Sequence, residues 1–69
     1  MEKMFIIAEK MSQLAHERID PSMVTQIPKH NSSGGVYRVY NLYVCWMDRH
    51  LYVAREYVTG IKVERMLLV

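Results

Sequence analysis

From Val36 to Val69 the chain is an almost unbroken series of Val, Tyr, Ile, Leu, Met and Trp side chains with Arg, Lys and Glu spaced among them. β-Branched and aromatic residues suit a pleated surface, and no proline falls in this stretch. Two places interrupt it, Asp48-Arg49-His50 and Thr59-Gly60. Read as turns, they divide the segment into three strands. Connections this short join antiparallel neighbours, so this half is expected to form a three-stranded antiparallel β-meander.

The first half follows a different period. Met4, Ile7, Ala8, Met11, Leu14, Ala15 and Ile19 recur at steps of three and four, which is one face of a helix. Phe5-Ile6-Ile7 favours a short strand over Lys3 to Ala8, but the longer periodicity predicts an amphipathic helix over 1–19. Asp20-Pro21 reads as a helix start, because Asp caps free N–H groups and Pro is tolerated at the first helical position. Ser22 to Gln26 then has room for one or two helical turns before Pro28 intervenes. Lys29 to Gly35, including Asn31-Ser32-Ser33-Gly34-Gly35, is a loop by composition. The expected architecture is one small α+β domain over 1–69: helix over 1–19, turn and loop over 20–35, and sheet over 36–69.

With 69 residues the core is marginal, and such chains gain stability from disulfides, metals, a second copy or a partner. Cys45 is the single cysteine, so no disulfide closes within the chain, and a lone thiol fits a reducing cytoplasm. The apolar run Met4 to Ala8 is too short for a membrane span or a signal-peptide core, so no membrane partner is expected. The formal net charge of +2 comes entirely from residues 35–69 and is light for a dedicated nucleic-acid binder.

Strand residues alternate between faces, so turn lengths assign the sides. A three-residue loop at Asp48 to His50 and a two-residue turn at Thr59-Gly60 put Val36, Tyr40, Leu42, Val44, Trp46, Tyr52, Ala54, Val58, Ile61, Val63 and Leu67 under the helix, with Arg38, Glu56 and Arg65 as polar members. Val39, Asn41, Tyr43, Cys45, Met47, Leu51, Val53, Arg55, Tyr57, Lys62, Glu64, Met66 and Leu68 then form the outer face, with Arg55 opposite Glu64. One helix covers one face of a sheet, so an outer face this apolar marks an interaction surface, the alternative being that Asp20 to Lys29 folds over it and completes a monomeric core.

The candidate chemistries are weak beside that surface. Cys45, Asp48 and His50 fall within six residues, but this register sends Cys45 and His50 to opposite faces, and no oxyanion glycine is near. His16, His30, His50 and Cys45 match no zinc-ligand spacing, so no metal or other cofactor is expected. Ser32-Ser33-Gly34-Gly35 lacks the lysine and following helix of a phosphate loop. Tyr residues interleaved with Arg38, Arg49 and Arg55 suit both protein interfaces and single-stranded nucleic acid.

The reading that follows is a non-enzymatic protein that occupies a macromolecular surface, as do inhibitors and adaptors encoded by phage or mobile elements. Its partner is another protein or a second copy of itself, with no small-molecule substrate evident. Tyr43, Met47, Arg49, Leu51, Val53, Arg55, Tyr57, Met66 and Leu68 are the expected interface. A dimeric nucleic-acid-binding regulator using the sheet's Tyr and Arg residues is the alternative.

Overall fold

The computed structural model describes residues 2–28 and 38–68. Helix α1 (Lys3–Ala15) leads through a 3₁₀ turn (Pro21–Met23) to β1 (Thr25–Pro28), β2 (Asn41–Met47), β3 (His50–Tyr57) and β4 (Gly60–Leu67). The strands form one antiparallel sheet in the order β1-β2-β3-β4, so the α+β class stands but the sheet has four strands rather than three. The fold measures 34 × 33 × 17 Å, and its shortest dimension suits two layers, one helix on one sheet.

α1 is shorter than its periodicity suggested. It ends at Ala15, where His16 turns left-handed with φ 54°. Ile19 nevertheless reaches the core from the following segment, which is why it fitted the helical pattern. Ser12 secures this reversal. Its Oγ donates to the Ala8 carbonyl at 2.7 Å and accepts from the Ile19 N–H at 2.8 Å. Asp20 caps the 3₁₀ turn as expected, accepting from the Ser22 N–H at 3.2 Å.

The added strand, β1, lies where turn or loop was expected. Thr25 and Ile27 are β-branched and pair with Val44 and Leu42. Pro28 is compatible because β1 is an edge and the Pro28 nitrogen sits on its unpaired side. The expected loop Lys29 to Gly35 lies outside the described residues, as do Val36 and Tyr37. Residues 38–40 are described and not strand, so β2 begins later than anticipated, at Asn41.

The turn between β2 and β3 contains two residues, not three. Asp48 and Arg49 take φ of 57° and 66°, and Met47 pairs directly with His50. Two consecutive positive φ values make a primed turn, whose twist matches that of the flanking strands. Removing one loop residue reverses the parity of β2 relative to β3. The next turn is Val58-Thr59 rather than Thr59-Gly60, with Tyr57 paired to Gly60. That shift of pairing is by two and leaves the faces of β3 and β4 unchanged. Gly60 takes φ 144°, a conformation L side chains rarely adopt.

The core therefore lies between α1 and one sheet face. Ile7, Ala8 and Met11 of the helix meet Tyr43 and Cys45 of β2 and Tyr52 and Ala54 of β3, joined by Ile19 and Val24. Met4, Ala15, Met47, Ile61 and Val63 border it. Leu14 is partly exposed rather than core.

Candidate functional site

The outer face of the sheet is built from the even positions of β2, the odd positions of β3 and the even positions of β4. Across it, Trp46 lies opposite Leu51 and Leu51 opposite Met66, while Val44 lies opposite Val53 and Val53 opposite Glu64. Ile27 and Leu42 extend the apolar area towards β1. Trp46 is 63% exposed, and Ile27 and Met66 are also exposed. Leu42, Val44, Leu51 and Leu68 are half-buried, and Val53 in the centre is only 5% exposed. Among the described residues, no helix or strand packs on this face.

One corner is charged. Arg55 pairs directly with Lys62 in the ladder, while Glu64 sits opposite Val53. Arg55 reaches Glu64 diagonally and forms an ion pair with it, so the interaction expected between directly opposed residues occurs with a two-residue offset. Tyr57 is half-buried at the same end. Arg38 stacks over the Tyr40 ring, 4.8 Å from its centroid.

Seven of the nine expected interface residues keep an outward position: Leu51, Val53, Arg55, Tyr57, Met66 and Leu68 on the face, and Arg49 exposed in the hairpin turn. Tyr43 and Met47 do not. The two-residue turn directs them under the helix, where Tyr43 is 2% exposed. Trp46, Val44 and Leu42, which had been assigned to the core, take their place outside. The missing signal was the primed turn. Asp at the first of two central positions is compatible with it, but Arg at the second is unusual.

The inner face carries a polar cluster that the sequence alone does not disclose. Glu56 accepts from Tyr43 OH at 2.8 Å and from Asn41 Nδ2 at 3.0 Å, and Lys3 Nζ lies 2.6 Å from its second oxygen. Gln26 Nε2 extends the chain to Asn41 Oδ1 at 3.1 Å. Burial alone pushes the Glu56 carboxyl up, but hydrogen bonds from Lys3, Asn41 and Tyr43, with the Lys3 charge, hold it below its ordinary value. Burial, then the hydrogen bond and charge of Glu56, raise the Tyr43 phenol. The Glu56 carboxylate is matched at both oxygens, and the cluster anchors the start of α1 to the end of β3.

Among the described residues, Cys45 lies in the core and His50 begins β3. Cys45 and His50 share the inner face, not opposite faces, because of the reversed parity. His50 Nδ1 lies 3.0 Å from the Asp48 carbonyl oxygen, and burial pushes the Cys45 thiol up, away from thiolate. Among the described residues no group of three or more His, Cys, Asp or Glu is placed to hold a metal, and His30 lies outside them. No helix among them is long and apolar enough to cross a membrane. No family model, curated protein or solved structure matches the chain.

Proposed function

We propose that this chain is a non-catalytic binding protein that acts by occupying the surface of another protein, in the manner of small inhibitors and adaptors. The observation that carries the reading is Trp46, 63% exposed beside Leu51, Val44 and Met66 on a sheet face that no described element covers. A large aromatic among aliphatic neighbours is the composition of an interface centre, where Trp supplies much of the binding energy. Asp48 and Arg49 at the hairpin tip and Arg55, Lys62 and Glu64 at the corner give that centre a mixed, slightly basic rim. The fitting partner surface is apolar in the middle and polar at its border.

Nucleic acid is the weaker partner. Tyr43 and Tyr52 are buried in the core and Arg55 is engaged by Glu64, which leaves Arg38 over the exposed Tyr40 ring as the aromatic–arginine pair among the described residues. The test is affinity capture from the source cell with wild-type protein, Trp46→Asp and Leu51→Asp in parallel. A stoichiometric partner recovered by the wild type and lost from both variants is expected. Equal recovery by all three, or salt-sensitive binding of oligonucleotides in place of protein, overturns the proposal.

A further inference from the structure

β4 is the long free edge of the sheet. It pairs with β3 alone, and among the described residues nothing hydrogen-bonds its other side. The parity of the ladder follows from the turn. Tyr57 and Gly60 close the hairpin as a hydrogen-bonded pair, so Lys62, Glu64 and Met66 direct their backbone groups at β3. The bond from Leu68 N–H to the Arg49 carbonyl, 2.9 Å, continues the same alternation. Ile61, Val63, Arg65 and Leu67 therefore present their N–H and C=O groups outward. The opposite edge is different, since β1 is four residues long and ends in Pro28.

Long edges are ordinarily blunted by proline, a bulge, cover or charge. β4 has charges, but their order is self-complementary. We infer that β4 pairs antiparallel with β4 of a second copy of this chain, about a two-fold axis at Val63. An axis at Lys62, Glu64 or Arg65 would set that charged residue against itself. With the axis at Val63, the two valines meet under the helices, and Lys62 of each copy faces Glu64 of the other. Lys62 gains most, because its neighbour across the β3–β4 ladder is Arg55, a like charge.

The helices accommodate this arrangement. α1 packs on both β3 and β4, so it lies about one strand spacing from the axis, and the two helices run ~10 Å apart on one side of the sheet, a normal packing distance. At 100° per residue, Ile6, Lys10 and Leu14 form the flank of α1 opposite Ser12, which faces Ile19. Ile6 and Leu14 are 39% and 37% exposed there and gain cover from the second helix. The product is an eight-stranded sheet with both apolar outer faces on its other side. This edge is distinct from the outer face, and the inference stands whether or not that face binds another protein.

Sedimentation equilibrium of the full chain tests it. The expected mass is twice 8.2 kDa. Glu64→Lys and Lys62→Glu each set like charges across the axis twice, raising the dimer dissociation constant by at least about tenfold. The double swap, Lys62→Glu with Glu64→Lys, restores both ion pairs and the dimer, which no general loss of folding would do. A wild-type mass of 8.2 kDa overturns the inference, as does a dimer unaffected by either single swap. A dimer lost in Trp46→Asp but kept in Glu64→Lys also overturns it, placing association on the outer face instead.

Discussion

Replacing Glu56 with alanine removes the acceptor at the centre of the inner polar cluster. Tyr43 OH and Asn41 Nδ2 each lose their carboxylate partner, and Tyr43 is 2% exposed, so water does not readily replace it. A hydrogen bond to a charged group contributes about 1.5–3 kcal/mol, and two that share one acceptor do not add fully, giving a net loss of about 3 kcal/mol. A domain of 69 residues is stable by roughly 3–10 kcal/mol, so the loss is a large fraction of the whole. At about 4–8 °C per kcal/mol, Tm falls by roughly 12–24 °C. Far-UV circular dichroism is the suitable assay, because Trp46 is 63% exposed and its fluorescence reports poorly on unfolding. Lys3→Ala, which removes the more exposed partner, shifts Tm much less, and Glu56→Gln falls between. The pH profile carries the same signature. Glu56 has a folded pKa below its ordinary 4.5, so its contribution is fully present above that value and is lost as pH falls through the lower folded one. A Glu56→Ala protein that melts within about 0.5 kcal/mol of wild type would refute the assignment of this cluster as the anchor of α1.

Three further outcomes are expected. Arg49→Gly relieves a left-handed φ of 66° in a two-residue turn and stabilises the fold by up to about 1 kcal/mol in urea titration; destabilisation would contradict the turn assignment. Ser12→Ala removes the acceptor for the Ile19 N–H and costs about 1–2 kcal/mol, measured the same way, whereas an unchanged midpoint would mean Ser12 does not hold the reversal after α1. Cys45 is 2% exposed, so a thiol reagent labels the native protein far more slowly than the unfolded chain; equal rates would place the cysteine outside the core.

Much of the fold could be read directly from the residues, and the reasons for the failures are local. The helix followed from the spacing of Ile7, Ala8 and Met11, and the meander from the density of β-formers after Gly35. The side presented by β2 was not legible. Tyr43, Cys45 and Met47 alternate with Leu42, Val44 and Trp46, and both sets are apolar enough to be buried. A hydrophobic pattern fixes register only where one face is distinctly polar, so the decision passed to the turn. His50 is polar and looked like a third loop residue, yet it pairs with Met47 as the first residue of β3. β1 was hidden by brevity and by Pro28, which ordinarily argues against a strand unless the strand is an edge. The faces of β3 and β4 were assigned as the register has them, because their parity survived a turn displaced by one residue, whereas those of β2 were reversed.

That ambivalence of β2 bears on the order of folding. Each strand pairs with its neighbour in the chain, so the β2–β3 and β3–β4 hairpins close early, on a scale of about 1–10 μs. The helix must return across a far longer separation, and the Arg65 bond to the Leu14 carbonyl spans 51 residues. Until then the nascent sheet offers α1 two greasy sides of similar appeal. Dispersion and water expulsion hardly distinguish them. The carboxylate of Glu56 does, because it stands on one side only and is what Lys3 reaches. An ionised group on one side of the sheet thereby favours docking of α1 on that side and leaves the other face to solvent.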